Sequence, residues 1–236
     1  MKRTILFICL MLAFVRTGQA QSLTIEYNIG HGSYQMSDMK DILKNQMLPV
    51  TNALVTDEFP GYVTQDTRVG IEWRRHHAGA LFNYMNTAGK KGVTDYSGSC
   101  NYELRNKGYK LGAFYRFRLV KEEISIFTFE PYVQLSTGVV LNRVHESNRL
   151  FVESDPAAGY EEEDRFSGKN FFVEPAFGIK FGLCRHVALN VNIAYEWDAV
   201  KQKHSSGHTE FPSDFKVDWS GYRAQAGLIF YLNLKK

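Results

Sequence analysis

Val187-Ala-Leu-Asn-Val-Asn-Ile-Ala-Tyr-Glu-Trp197 repeats with a period of two. Every odd position is apolar or aromatic, while the even positions hold Ala188, Asn190, Asn192, Ala194 and Glu196. Successive side chains of a strand point to opposite faces, so this stretch predicts a β-strand with one apolar and one polar side. The preceding segment repeats the pattern. Phe171, Val173, Phe177, Ile179 and Phe181 alternate there with Glu174, Ala176, Gly178, Lys180 and Gly182. Only residues 184–186 separate the two runs, which therefore read as a hairpin.

Working outward, the same alternation occupies 222–234, 23–32, 67–75, 77–86, 102–119 and 124–143, so the strand count is eight. An even number suits a closed antiparallel ring with both chain ends on one side. The joints at 75–77, 120–123 and 184–186 are short, whereas 33–66, 87–101, 144–169 and 201–218 are long. Strict alternation of short turns with long loops predicts an all-β fold, an eight-stranded antiparallel transmembrane β-barrel with short periplasmic turns and long extracellular loops.

The first twenty residues suit that destination. Lys2 and Arg3 precede an apolar run from Ile5 to Val15, and Gly18-Gln-Ala20 supplies small residues for cleavage after Ala20. This is the layout of a secretory signal peptide, too short in its apolar part to span a bilayer as a helix. Residues 1–20 are thus expected to be a signal peptide and 21–236 a single barrel domain. Of the chain's 28 basic residues, three lie in that leader and none of its 25 acids does, so the remainder is formally neutral. That balance, without any basic tail, argues against a nucleic-acid partner. The 17 Phe and 13 Tyr suit strands better than helices.

Alternation alone does not say which face is outside. Large aromatics near strand ends on the apolar face (Trp73, Tyr84, Phe127, Phe171, Tyr195, Trp197 and Tyr222) suit interfacial girdles. The polar face carries Glu26, Glu72, Glu130, Glu174 and Glu196 against Arg68, Arg74, Arg116, Arg118, Lys180 and Arg223. Eight strands leave a bore only wide enough for side chains, where opposed charges must pair because an unpaired buried charge is very costly. Glu26, Glu72, Arg74, Arg116, Glu130, Glu174, Lys180, Glu196 and Arg223 are therefore expected to form a charge network inside the barrel.

The leader, the eight alternating strands and the loop asymmetry together resemble the small OmpA/OmpX-type outer-membrane barrels. Ser37-Asp-Met-Lys-Asp-Ile-Leu-Lys-Asn45 and the ending Gly221-Tyr-Arg-Ala-Gln-Ala-Gly-Leu-Ile-Phe-Tyr-Leu-Asn-Leu234 are similar to outer-membrane barrel proteins common in Bacteroidetes. The resemblance implies a Gram-negative outer-membrane location, contact with membrane lipid and lipopolysaccharide, and a monomer with a structural or surface-interaction role through its loops. It implies no cofactor. A narrow pore for small solutes is the first alternative.

Several local features invite chemistry. His145-Glu-Ser147-Asn148 resembles the His-x-Ser-Asn pair of lipid A deacylases, in which a His would activate a Ser. It lies mid-chain, however, and has no assigned carboxylate, Glu161 and Glu162 being guesses. A lipid A-modifying enzyme is the second alternative, and a non-enzyme is expected. His76-His77 and His204-x3-His208 lack the third ligand of a metal site. Glu161–Asp164 reads as a solvated acidic run, with divalent bridging to lipopolysaccharide as its sharper reading. Residues 37–47 predict a short helix, capped by Ser37, with Met39, Ile42, Leu43 and Met47 on one face. Cys100 and Cys184 fall at opposite barrel ends and are expected to be free thiols.

Overall fold

A computed structural model gives the structure of the chain and describes residues 21–50, 52–124, 127–201 and 215–233. The leader and His204 and His208 lie outside the described residues. In chain order the elements are β1 (Gln21–Gly32), α1 (Ser37–Asn45), β2 (Leu54–Glu58), β3 (Tyr62–Trp73), β4 (His76–Asp95), β5 (Gly98–Arg118), β6 (Glu122–Ile124), β7 (Phe127–Val152), β8 (Tyr160–Cys184), β9 (Val187–Lys201) and β10 (Gly221–Asn233). β1 pairs with both β3 and β10, and antiparallel pairing continues β3–β4–β5–β7–β8–β9–β10. Eight strands thus close on themselves into a barrel, with β2 added to β4 and β6 to β7 at its ends.

Nearest the short turns, the barrel is apolar outside and polar inside. Along β9, Ile193 is 62% exposed and Trp197 61%, while Asn190, Asn192 and Glu196 are buried. The outward row of β7 is Val133, Leu135, Thr137, Val139 and Leu141, a run of nine residues along the strand. A tilted strand crosses a hydrocarbon core in about 9–11 residues, so this belt has bilayer dimensions. Aromatic side chains mark its far edge. Tyr84 meets Tyr109 at 5.5 Å between ring centroids, Tyr195 meets Tyr222 edge-on at 5.0 Å, and Phe171 and Trp197 point outward. At the turn end Trp73 stacks on His76 at 5.6 Å. The side chain of Phe127 lies outside the described residues.

Beyond Tyr109 and Leu141 the rule reverses without any change of parity. Inward positions become apolar (Met85, Tyr102, Leu104, Val144 and Phe166), and α1 seats Met39, Ile42 and Leu43 on them. Phe215, Val217 and Trp219 complete this core. Outward positions become charged: Glu103, Arg105 and Lys107 on β5, Arg143 and Arg149 on β7, Glu161, Glu163 and Arg165 on β8. On β5, β7 and β8 the lower half is solved for lipid outside, the upper half for water outside.

This reversal corrects two expected loops. Pairing of β4 with β5 continues from Tyr84↔Tyr109 up to Asp95↔Gly98, so most of 87–101 is hairpin. Its turn is fixed by the Asp95 carboxylate, which accepts from the Ser97 amide and hydroxyl. β7 and β8 likewise stay paired up to Leu150↔Tyr160, which makes most of 144–169 strand, including the acidic run. Glycines and charges gave these stretches a loop-like composition, although they sit on a strand whose outer face meets water. The joint after β5 also gains a short strand, β6, folded back on β7.

α1 differs in detail from expectation. It starts at Met36 in a left-handed conformation (φ 47°) with no side-chain cap, so Ser37 is not its cap, and Met47 is exposed rather than on the buried face. Lys91 holds the other end, its ammonium donating to the carbonyls of Lys44 and Gln46 at 2.8 and 2.9 Å. A cation there satisfies orphan carbonyls and favours the dipole.

Candidate functional site: a charge-packed bore under a closed mouth

Inward parity brings the polar rows of all eight strands onto the barrel axis, where charges pair in three layers. Nearest the turn end, Lys180 reaches Glu72 at 2.8 Å and Glu130 at 3.2 Å, and Arg118 reaches the same two carboxylates at 3.2 and 3.1 Å. In the middle layer Glu26 takes Arg116 at 3.1 Å and Arg68 at 3.5 Å, and Arg68 also pairs with Asp66 at 2.7 Å. Gln134 bridges the two guanidiniums through its side-chain carbonyl, at 2.9–3.0 Å. In the upper layer Lys110 is shared between Glu174 and Glu196, and Arg223 donates to Glu196 at 3.0 Å.

Six carboxylates (Glu26, Asp66, Glu72, Glu130, Glu174 and Glu196) thus face six cations (Arg68, Lys110, Arg116, Arg118, Lys180 and Arg223). The bore carries no surplus charge among the described ion pairs. Rings fill the remaining space: the Arg116 guanidinium lies 4.1 Å from the Tyr132 centroid and the Lys110 ammonium 4.2 Å from that of Phe172. Arg68, Arg116, Tyr132, Lys110, Phe172 and Lys180 are among the largest side chains almost wholly removed from solvent. Tyr132 fits because residue 178 is glycine; a Cβ there would lie 2.3 Å from the tyrosine oxygen.

The expected network gathers eight of its nine residues. Arg74 is the correction: it sits exposed in the β3–β4 turn at φ 53°, and only its carbonyl takes part, accepting from Arg118. β3 ends at Trp73, so the alternation no longer decides the side on which residue 74 lies. Asp66 and Lys110 are members that sequence reasoning missed. Lys110 stands in the even row of β5 with Arg116, a legible signal. Asp66 follows Thr64 and Gln65 in a stretch that reads as loop.

Above this stack the mouth is closed by α1 and residues 215–220. Trp219 is buried, its indole N–H donating to Asn142 at 2.6 Å, and Tyr34 meets its ring edge-on at 4.9 Å. The Asp198 carboxylate accepts from the Trp219 amide and from Asn170, each at 2.8 Å. Phe59 fills the space beside Gly89, where a Cβ would lie 2.6 Å from its ring.

His145 and Ser147 keep the outward parity, but the row has turned charged at Arg143, so they stand above the apolar belt. His145 has Glu163, not Glu161 or Glu162, at 3.8 Å, and no hydrogen bond joins it to Ser147 among the described residues. Glu161 and Glu163 of the acidic run already pair with Arg149. His76 and His77 face opposite sides. His76 bonds the Tyr115 hydroxyl at 2.7 Å, while His77 is buried against Thr24 at 2.7 Å and Phe114. Cys100 is buried and Cys184 exposed, both as free thiols.

A closed eight-stranded ring with an apolar belt outside and paired charges inside defines a small transmembrane β-barrel. The chain is similar to the outer membrane protein OprG from Pseudomonas aeruginosa (11% identity, 91% of this chain and 97% of that one covered, TM-score 0.46). It is also similar to Neisserial surface protein A (11%, 90% and 99%, 0.41) and to Ail, the attachment invasion locus protein of Yersinia pestis (12%, 91% and 99%, 0.35). No protein-family model matches the sequence, and no curated protein does.

Proposed function

We propose that this chain is a bacterial outer-membrane barrel, exported with cleavage after Ala20, that works as a monomeric, non-catalytic surface protein. On this reading the turn end faces the periplasm and the capped end stands clear of the outer leaflet. The observation that carries the proposal is the reversal of polarity at one height on adjacent strands. A soluble barrel has no reason to expose Leu135, Ile193 and Leu228 below that height and charges above it. The protruding half, with its own apolar core, is a rigid platform for contacts outside the cell.

A structural or surface-interaction role is favoured over a pore by the interior. Six carboxylates, six cations and the rings of Tyr132 and Phe172 occupy the bore, and α1 covers its mouth. The test is gel mobility of the outer-membrane fraction with and without boiling, followed by conductance in a planar bilayer. Faster migration before boiling together with a silent bilayer is expected. A periplasmic protein with unchanged mobility overturns the membrane reading, and stable single-channel steps overturn the closed interior.

A further inference from the structure

Just above the apolar belt, the outward face of β5, β7 and β8 carries two consecutive levels without an acid. Register places Lys107 beside Arg143 and Ser167, and Arg105 beside His145 and Arg165. Lys169 stands one level lower, beside Leu141 and in the row of Tyr109. Neighbouring strands are about 4.8 Å apart and alternate residues about 7 Å, so the cations share a patch roughly 10 Å by 14 Å. Arg105, Lys107, Arg143, His145 and Arg165 line a shallow concavity of about 620 Å³ with Tyr109 at its lower rim.

The balance of charge there is uneven. Arg105 is held by Glu103 at 2.8 Å, and Arg165 lies 4.0 Å from Glu163, both acids belonging to the level above. Lys107, Arg143 and Lys169 make no ion pair among the described residues; Arg143 lies over the Tyr109 ring at 5.5 Å. At the upper edge of the belt the outward residues described on the other strands are His31 on β1, Gln65 and Val63 on β3, Asn86 on β4, Trp197 on β9 and Tyr222 on β10. Among the described side chains at this edge, the unpaired cations gather on β5, β7 and β8.

We propose that this patch binds the phosphate-monoester headgroup of an outer-leaflet lipid, with Lys107, Arg143 and Arg165 as its principal donors. Guanidinium and ammonium groups bond phosphate oxygens directly, and a basic pocket at the interface is the sequence-readable form of lipid recognition. Tyr109 and Leu141 below would meet the first acyl carbons. The proposal rests on the membrane reading above.

The experiment uses the folded protein in detergent micelles, with lipid retention followed by native mass spectrometry. Its probes are phosphatidic acid, phosphatidylcholine and inorganic phosphate. The parent protein is expected to retain phosphatidic acid at least tenfold better than phosphatidylcholine and to lose it to millimolar phosphate. Lys107→Gln/Arg143→Gln/Arg165→Gln is expected to abolish that preference, whereas Lys90→Gln/Lys121→Gln keeps it. Equal retention of the two lipids by the parent protein overturns the proposal. So does unchanged preference in the triple variant with heat-sensitive gel mobility intact. Loss of that mobility shift from the parent protein instead overturns the membrane reading itself. Should the triple variant not fold, the single change Arg143→Gln carries the test, with a loss of at least threefold expected and none overturning it.

Discussion

Replacing Glu26 with Leu should destabilise the barrel by about 3 kcal/mol, the low end of the range for breaking a buried ion pair. Glu26 has no solvent-exposed surface and serves Arg116, Arg68, Asn28 and Asn190 at once. After the substitution the partners fare unequally. Arg68 keeps Asp66 at 2.7 Å, and the Asn28 amide keeps Asp66 at 3.1 Å. Arg116 keeps only the neutral Gln134 and the face of Tyr132, so one buried cation is left without a carboxylate. A loss of about 3 kcal/mol is a change of about 10²-fold in the unfolding equilibrium. Removing the stranded charge as well, in Glu26→Leu/Arg116→Met, restores the balance of signs and returns apolar volume. That double variant should lie within about 1 kcal/mol of the parent protein, since buried pairs replaced by apolar groups are often neutral. The assay is urea unfolding from phospholipid vesicles, followed by tryptophan emission and by gel mobility, run as a double-mutant cycle. A single-variant cost below about 1 kcal/mol, or a double-variant cost equal to the sum of the two singles, refutes the reasoning.

Three further outcomes follow from the same geometry. Gly178→Ala drives a Cβ to 2.3 Å from a Tyr132 oxygen that is bonded to Asn190 and pinned by Arg116, so a lowered urea midpoint worth about 1–3 kcal/mol is expected. Cys184 should react with a maleimide in the folded protein, while Cys100 reacts only on unfolding, because burial both shields its thiol and pushes its pKa up. The Asp198 carboxylate accepts from the Trp219 amide and from Asn170, each at 2.8 Å. Asp198→Ala should therefore lower the urea midpoint by an amount worth about 1–3 kcal/mol, because two buried donors lose their acceptor; an unchanged midpoint would show that the carboxylate does not hold the mouth together.

How much of this was legible depends on which solvent a strand meets. Along β9 and β10 the period of two, the aromatic ends and the paired charges all agree, because one face meets lipid for the whole visible run. The polar faces likewise carry eight residues of the interior network, and the even row of β5 holds Lys110 with Arg116. Arg74 was over-read because parity persists on paper after the chain has entered a turn at φ 53°. Asp66 was passed over because Thr64-Gln65-Asp66 is polar on both faces.

The largest omission, the upper parts of β4, β7 and β8, has a different cause. Parity is conserved along the strands, so Leu104 and Arg116 both point inward, yet one is apolar and the other charged. Hydrophobicity records contact with a solvent, not a direction, and its meaning reverses where lipid gives way to water. A stretch such as Val144-His-Glu-Ser-Asn-Arg-Leu150 therefore looks irregular when scored against the lipid rule and regular when scored against the aqueous one. Arg143 stands at the height where the two rules meet, its guanidinium 5.5 Å from the centroid of the Tyr109 ring, so one residue answers to the aromatic edge below it and to the charged outer face above it.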